Sequence, residues 1–148
     1  MKKLNWQAAE ITTTYRSLHK PSDQMTCSKN IFKYIKPIFL AQEQHTEQFN
    51  VFYLNQANKI IGWKHIGMGG VSSVAIDVRV IMKHALDILS SSIILAHNHP
   101  SENKKASQQD INLTNKIKEA AKLFDMTVLD HIIICGDEYL SFTDIGLI

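Results

Sequence analysis

The feature that most constrains this chain is an apolar run that ends in two histidines. Ser92-Ile-Ile-Leu-Ala96 is short and rich in β-branched residues, and it leads directly into His97-Asn98-His99-Pro100. Such a run reads as a buried strand. Residues two apart on a strand point to the same side, so His97 and His99 aim their imidazoles at one point as the strand ends. Pro100 has no N–H to donate and stops the ladder. Eleven residues beyond His99 comes Asp110, in the first turn of a helical pattern that Ser107 begins. Two imidazoles and a carboxylate meeting at one spot make a three-ligand set for zinc, with the fourth position left for water.

The flanking sequence predicts how that strand is housed. With 148 residues there is chain for one domain with a real core and not comfortably for two. Residues 1–27 lack periodicity and read as an N-terminal arm with a turn at Pro21-Ser22-Asp23; residues 28–148 form the domain. From Ser28 the apolar positions Ile31, Tyr34, Ile35, Ile38 and Phe39 follow helical spacing, which Pro37 should kink or split. Glu47–Leu54 and Lys59–Met68 read as two strands joined through Asn55-Gln56-Ala57-Asn58, a hairpin, with Phe49, Val51 and Tyr53 on one face of the first. Gly67, Gly69 and Gly70 mark an irregular exit. Asp77–Leu89 is helical, with Val80, Ile81, His84, Ala85 and Ile88 inward. A polar loop, 101–106, leads to a helix over about 107–124 with a stripe of Leu113, Ile117, Ala120, Ala121 and Phe124. Met126–Cys135 is a strand, Gly136-Asp137-Glu138 a turn, and Tyr139–Phe142 a closing strand. Alternation of helices and strands after a leading hairpin predicts an α/β fold, a mixed β-sheet flanked by helices.

A zinc held by His97, His99 and Asp110 keeps a positive charge, so it can acidify bound water and polarise a carbonyl. Hydrolysis also needs a base. Glu47 is the candidate, because it opens the strand ahead of the site and has no obvious ion-pair partner. Ser107, three residues before Asp110, lies near enough to donate to an oxyanion. These roles amount to metal-assisted hydrolysis of an amide or similar bond.

Plainer readings exist for each residue. H-x-H recurs by chance. Ser107-x-x-Asp110 is also an ordinary helix start, close to a capping box, and capping is compatible with ligation. Glu47 on its own reads as a solvated strand-end carboxylate. His131 reads as a packed histidine or a neighbour of the ligands, and His84 as an inner-face residue. His45 and His65 have no informative spacing. Lys104-Lys105 reads as a solvated loop, with an anionic substrate contact as the minor alternative. Arg79 either pairs with a nearby acid or faces the site. Cys27 and Cys135, far apart and outside any C-x-x-C, read as reduced thiols.

Taken together, Glu47 on a strand, His97-x-His99, seven intervening residues and Ser107-x-x-Asp110 resemble the JAMM (JAB/MPN) metalloprotease motif. The wider text resembles its bacterial RadC-like branch: Glu47-Gln-Phe-Asn-Val-Phe-Tyr-Leu-Asn, His97-Asn-His-Pro-Ser, Asp110-Ile-Asn-Leu-Thr, Asp130-His-Ile-Ile-Ile and Leu140-Ser-Phe-Thr-Asp-Ile-Gly-Leu. The likeness runs from about Ser28 to the C-terminus. It implies a cytidine-deaminase-like α/β/α sandwich, zinc on His97, His99 and Asp110 at one per chain, Glu47 as the general acid/base for water, and Ser107 on the oxyanion. RadC-like loops carry a glycine and two further prolines after Pro-Ser; here Glu102-Asn-Lys-Lys-Ala stands instead, at the same length. The full-length branch carries a helix-hairpin-helix DNA-binding region ahead of this domain, where this chain has the short arm.

The resulting expectation is a zinc-dependent hydrolase of the JAMM type acting on a peptide or isopeptide bond in a peptide or protein substrate. A second reading, of another class, is a non-peptidase module of DNA repair or mobile-element biology that binds metal or nucleic acid. The net charge of +2 is too small to argue for DNA or a membrane surface. The first residues have no apolar signal region and no stretch is long enough to span a bilayer, so a cytoplasmic location is expected. A (β/α)₈ amidohydrolase barrel needs far more chain. Zinc deaminases need H-x-E followed by P-C-x-x-C, which is missing.

Overall fold

The computed structural model describes residues 11–15, 22–42, 45–69 and 75–148. Parts of the expected arm (1–10 and 16–21, including Pro21) and Gly70 lie outside the described residues. Eight elements follow in order: α1 (Ser28–Leu40), β1 (Gln48–Leu54), β2 (Ile60–Met68), α2 (Val78–Asp87), β3 (Ser92–Asn98), α3 (Gln108–Lys122), β4 (Thr127–Cys135) and β5 (Glu138–Ser141). The strands form one mixed sheet in the order β2-β1-β3-β4-β5. Only β3 and β4 run parallel, and α3 makes the crossover that a parallel pair requires.

Alternation along the strands divides the core between two faces. Phe49, Val51, Tyr53, Ile93 and Leu95 pack under α2 and α3, through Ile81, Met82, Ala85, Ile117 and Ala121. Phe52, Leu54, Ile94, Ala96, Ile132 and Ile134 pack under α1, through Ile31, Ile35 and Phe39. The fold is therefore a three-layer α/β/α sandwich with one helix on one side and two on the other. β3 is central and apolar on both faces, as a strand covered on both sides must be.

The hairpin turns on Asn55, whose Oδ1 accepts from the N–H groups of Ala57 (3.0 Å) and Lys59 (3.1 Å). Asn58 sits at φ +54°, a left-handed conformation that asparagine tolerates. Beyond it, the described part of the arm lies along the β2 edge. Ser22 N–H donates to the Ile60 carbonyl, Ile60 N–H donates to Ser22 Oγ, and the Tyr15 hydroxyl donates to the Ile61 carbonyl.

Three expectations need correction. Pro37 does not split the first helix, which runs as one element from Ser28 to Leu40 with Pro37 in its last turn, so the one backbone bond that a proline cannot make lies near the helix end. Val80 is exposed and Met82 is buried in its place: Ile81 and Ala85 set the phase of α2, and Val80 lies one step round from them. Phe124 is also exposed, because α3 ends at Lys122 and the stripe ends with it. His84 is half-buried, edge-on to the Tyr53 ring.

Candidate metal centre

The site forms where the parallel strand β3 ends and α3 begins. Phe49 pairs with His97 in the antiparallel β1–β3 register, so Glu47 falls opposite His99. All of these odd-numbered positions share the α3 face of the sheet. Glu47 lies just before β1 rather than inside it, with its carbonyl accepting from Gly69 N–H at 2.8 Å. His99 extends the ladder by one bond, donating its N–H to the Ile134 carbonyl at 2.9 Å. Pro100 follows and ends it.

Glu47, His97, His99 and Asp110 each offer one ligand atom, and these atoms all lie within 4.8 Å of one another. His97 Nε2 is 3.0 Å from His99 Nε2 and 3.3 Å from Asp110 Oδ1. His99 Nε2 is 3.8 Å from Asp110 Oδ2. Two ligands of a tetrahedral zinc with bonds near 2.0–2.1 Å stand about 3.3 Å apart, so the three separations suit one such ion. Glu47 Oε1 stands slightly farther out, 3.7 Å from His97 Nε2 and 3.8 Å from His99 Nε2.

Each donor is held from behind. Asp110 is the third residue of α3, and its Oδ2 accepts from both the N–H and the Oγ–H of Ser107, each at 2.7 Å. Ser107 Oγ in turn accepts from Asp110 N–H at 3.1 Å. This is a capping box, and it leaves Oδ1 to face His97. The capping reading of Ser107 and Asp110 therefore describes their bonds, and it also presents the carboxylate to the cluster. Behind His99, Nδ1–H donates to the Asn103 carbonyl at 2.7 Å. Behind His97, Nδ1 lies 2.8 Å from His131 Nε2.

Asn98, between the two histidines, points to the opposite face. Its Oδ1 accepts from Gln48 N–H at 2.7 Å, and its Nδ2 donates to the Thr46 carbonyl at 3.1 Å. It thus grips the peptide groups on both sides of Glu47.

The electrostatics follow burial and neighbours. His97 is fully enclosed and burial pushes its pKa down to about 4, against the pull of Asp110. His99 is held above its ordinary value, first by Asp110, with burial opposing. Burial works against the charge on Asp110, but His99, His97 and Ser107 together keep it well below the usual carboxylate range. Glu47 is raised, chiefly by burial and further by the charge of Asp110, with His99 opposing. The arrangement offers two neutral-capable nitrogens, one firm anion and one carboxylate of raised basicity. That set can hold a divalent cation.

Other candidates are resolved differently. Arg79 pairs with Asp77, the N-cap of α2, away from the cluster. Lys104 pairs with Glu138 at 2.5 Å, while Lys105 is exposed. His65 bonds Asn50 and His45 is exposed. Cys27 and Cys135 are free thiols. Beside His99 a cleft of about 500 Å³ opens between α1 and the β4–β5 turn, lined by Phe39, Asn98, His99, Pro100, Glu102 and Gly136. No helix among the described residues is long and apolar enough to cross a membrane.

Two contributors escaped the sequence reading. Thr114 is buried one turn after Asp110, on the same face of α3; the i, i+4 spacing was the available signal. Asn98 was visible as a residue, but its role depends on the β1–β3 register.

The RadC-like JAB domain family model matches residues 25–147. A UPF0758 protein of Porphyromonas gingivalis is 41% identical over 144 residues, covering 95% of this chain and 62% of that protein. A UPF0758 protein of Flavobacterium johnsoniae is 39% identical over 124 residues, covering 84% of this chain and 53% of that protein. The UPF0758 protein YkfG of Escherichia coli is 32% identical over 133 residues, covering 90% of this chain and 83% of that protein. The chain thus spans little more than half the length of the first two.

Proposed function

The chain belongs to the RadC-like JAB domain family, and from that premise we propose that it is a zinc-dependent hydrolase of the JAMM type, cleaving a peptide or isopeptide bond. The observation that carries the reading is the convergence of Glu47, His97, His99 and Asp110 within 4.8 Å. His97, His99 and Asp110 would hold the ion, one per chain. When bound, it would supply Lewis acidity to a water molecule and to the scissile carbonyl.

The protein's own groups supply the rest. Glu47 Oε1 faces the two imidazoles from 3.7 and 3.8 Å, within reach of a proton carried on one intervening water. Its raised pKa suits taking that proton and returning it to the leaving amine. Ser107 Oγ–H serves an oxyanion by turning from Asp110 Oδ2, while the Ser107 N–H keeps its own bond to that oxygen. The cleft beside His99 gives an extended peptide somewhere to lie.

The test is Glu47→Gln, assayed for zinc uptake and for turnover of a peptide or isopeptide library. The expected result is zinc binding near the wild-type level with turnover abolished. Full turnover in this variant would overturn the role given to Glu47. Absence of turnover by the wild type, together with tight, salt-sensitive binding of oligonucleotides, would favour a nucleic-acid-binding module.

A further inference from the structure

Behind the cluster lies a buried chain of polar groups that donor and acceptor rules orient in one direction. Thr114 Oγ1 is 2.6 Å from the Asp110 carbonyl oxygen, which can only accept, so the threonine hydroxyl donates there. Thr114 Oγ1 is also 2.7 Å from His131 Nδ1. Having spent its hydrogen on Asp110, the hydroxyl can only accept from His131, which places a proton on Nδ1. His131 is 0% exposed and lies against the rings of Phe49 and Phe142. Among the described residues its ring bonds only His97 and Thr114 and no carboxylate, and burial of an imidazole in such surroundings favours the neutral form. A neutral ring with its proton on Nδ1 has a lone pair on Nε2. That atom is 2.8 Å from His97 Nδ1, so His97 must be the donor between them. A neutral His97 with its proton on Nδ1 leaves Nε2 bare, and Nε2 is the atom that faces His99 and Asp110.

We propose that Thr114 and His131 are positioning residues that fix His97 in the Nδ1–H tautomer, so that its Nε2 lone pair is presented to the metal. The arrangement rests on the metal-binding reading above and adds the device that prepares this ligand before any ion arrives. The chain of bonds starts at the backbone of Asp110 itself, so one turn of α3 both supplies a ligand and orients another. His99 reaches the same tautomer by a shorter route, through the Asn103 carbonyl.

Two measurements decide the matter. Long-range ¹H–¹⁵N correlation of the imidazoles in metal-free, full-length protein at neutral pH reads the tautomers directly. The expected result is a proton on Nδ1 and a bare Nε2 for both His97 and His131. A proton on Nε2 of either ring, or a doubly protonated His131, would overturn the proposal whether or not the protein takes up zinc. Zinc affinity by chelator competition is the second measurement. His131→Phe fills the space but cannot accept from His97, and should weaken zinc about 10–100-fold. His131→Gln, with an amide oxygen toward His97 and an N–H toward Thr114, should restore most of that loss. If His131→Phe does not fold, Thr114→Val serves: it removes only the orienting hydroxyl and should weaken zinc in the same direction. Folded variants with wild-type affinity would refute the positioning role. A wild type that takes up no zinc would instead sink the metal-binding reading, leaving the tautomers to judge this one.

Discussion

Asn98 offers the most informative single substitution outside the ligands. Asn98→Ala removes an acceptor from Gln48 N–H and a donor from the Thr46 carbonyl, bonds of 2.7 and 3.1 Å. A polar backbone group left unpaired out of water costs about 1–3 kcal/mol. Asn98 is only half-buried at the end of β3, so water will satisfy part of the need, and the lower end applies to each group. The sum is about 2 kcal/mol, which in a domain of this size lowers Tm by about 4–8 °C. Zinc affinity should stay close to wild type, because His97 and His99 keep their own strand and Asp110 keeps its helix cap. Turnover should fall, since the peptide groups flanking Glu47 lose their anchor. Thermal unfolding of metal-free protein, followed by zinc competition on the same preparation, checks both halves. A Tm within about 1 °C of wild type would show that the two bonds carry no net stability. A loss of zinc affinity equal to that of His97→Ala would show that Asn98 supports the ligands and not Glu47.

Other expectations follow from the same geometry. Ser107→Ala loses the side-chain half of the capping box and should cost about 1 kcal/mol, seen in denaturant or thermal unfolding. Ile117→Ala opens a cavity at a fully buried position under the sheet and should cost about 2–5 kcal/mol, read in the same way. In metal-free protein His99 carries a raised pKa and must lose its proton to bind, whereas His97 stays neutral down to about pH 4. Zinc affinity should therefore fall by about tenfold per pH unit as pH drops below the pKa of His99, with one proton released per ion and not two; titration calorimetry in buffers of different ionisation enthalpy counts them.

Much of this was legible in the sequence, because the signals were local. The β-branched run of β3, the two-residue spacing of His97 and His99, and the cap at Ser107 each depend on a few neighbouring residues. The hairpin declared itself through Asn55 and Asn58. The rest depends on information that no local window contains. The approach of Glu47 to the histidines follows from the β1–β3 register, which pairs residues almost fifty positions apart. The His131–His97 contact needs the parallel β3–β4 pairing, and Thr114 completes it only once α3 docks on the sheet. Val80 was misplaced because packing of Ile81, Met82 and Ala85 sets the phase of α2, and Phe124 because the apolar stripe was carried past the end of α3 at Lys122.

The central claim is that His97, His99 and Asp110 converge to hold a metal beside Glu47, and elemental analysis tests it most directly. Protein purified without chelator or a metal-affinity tag, set beside a His97→Ala/His99→Ala variant, should contain about one zinc per chain that the variant lacks. No metal in the wild type, and none taken up when zinc is added, would contradict the account.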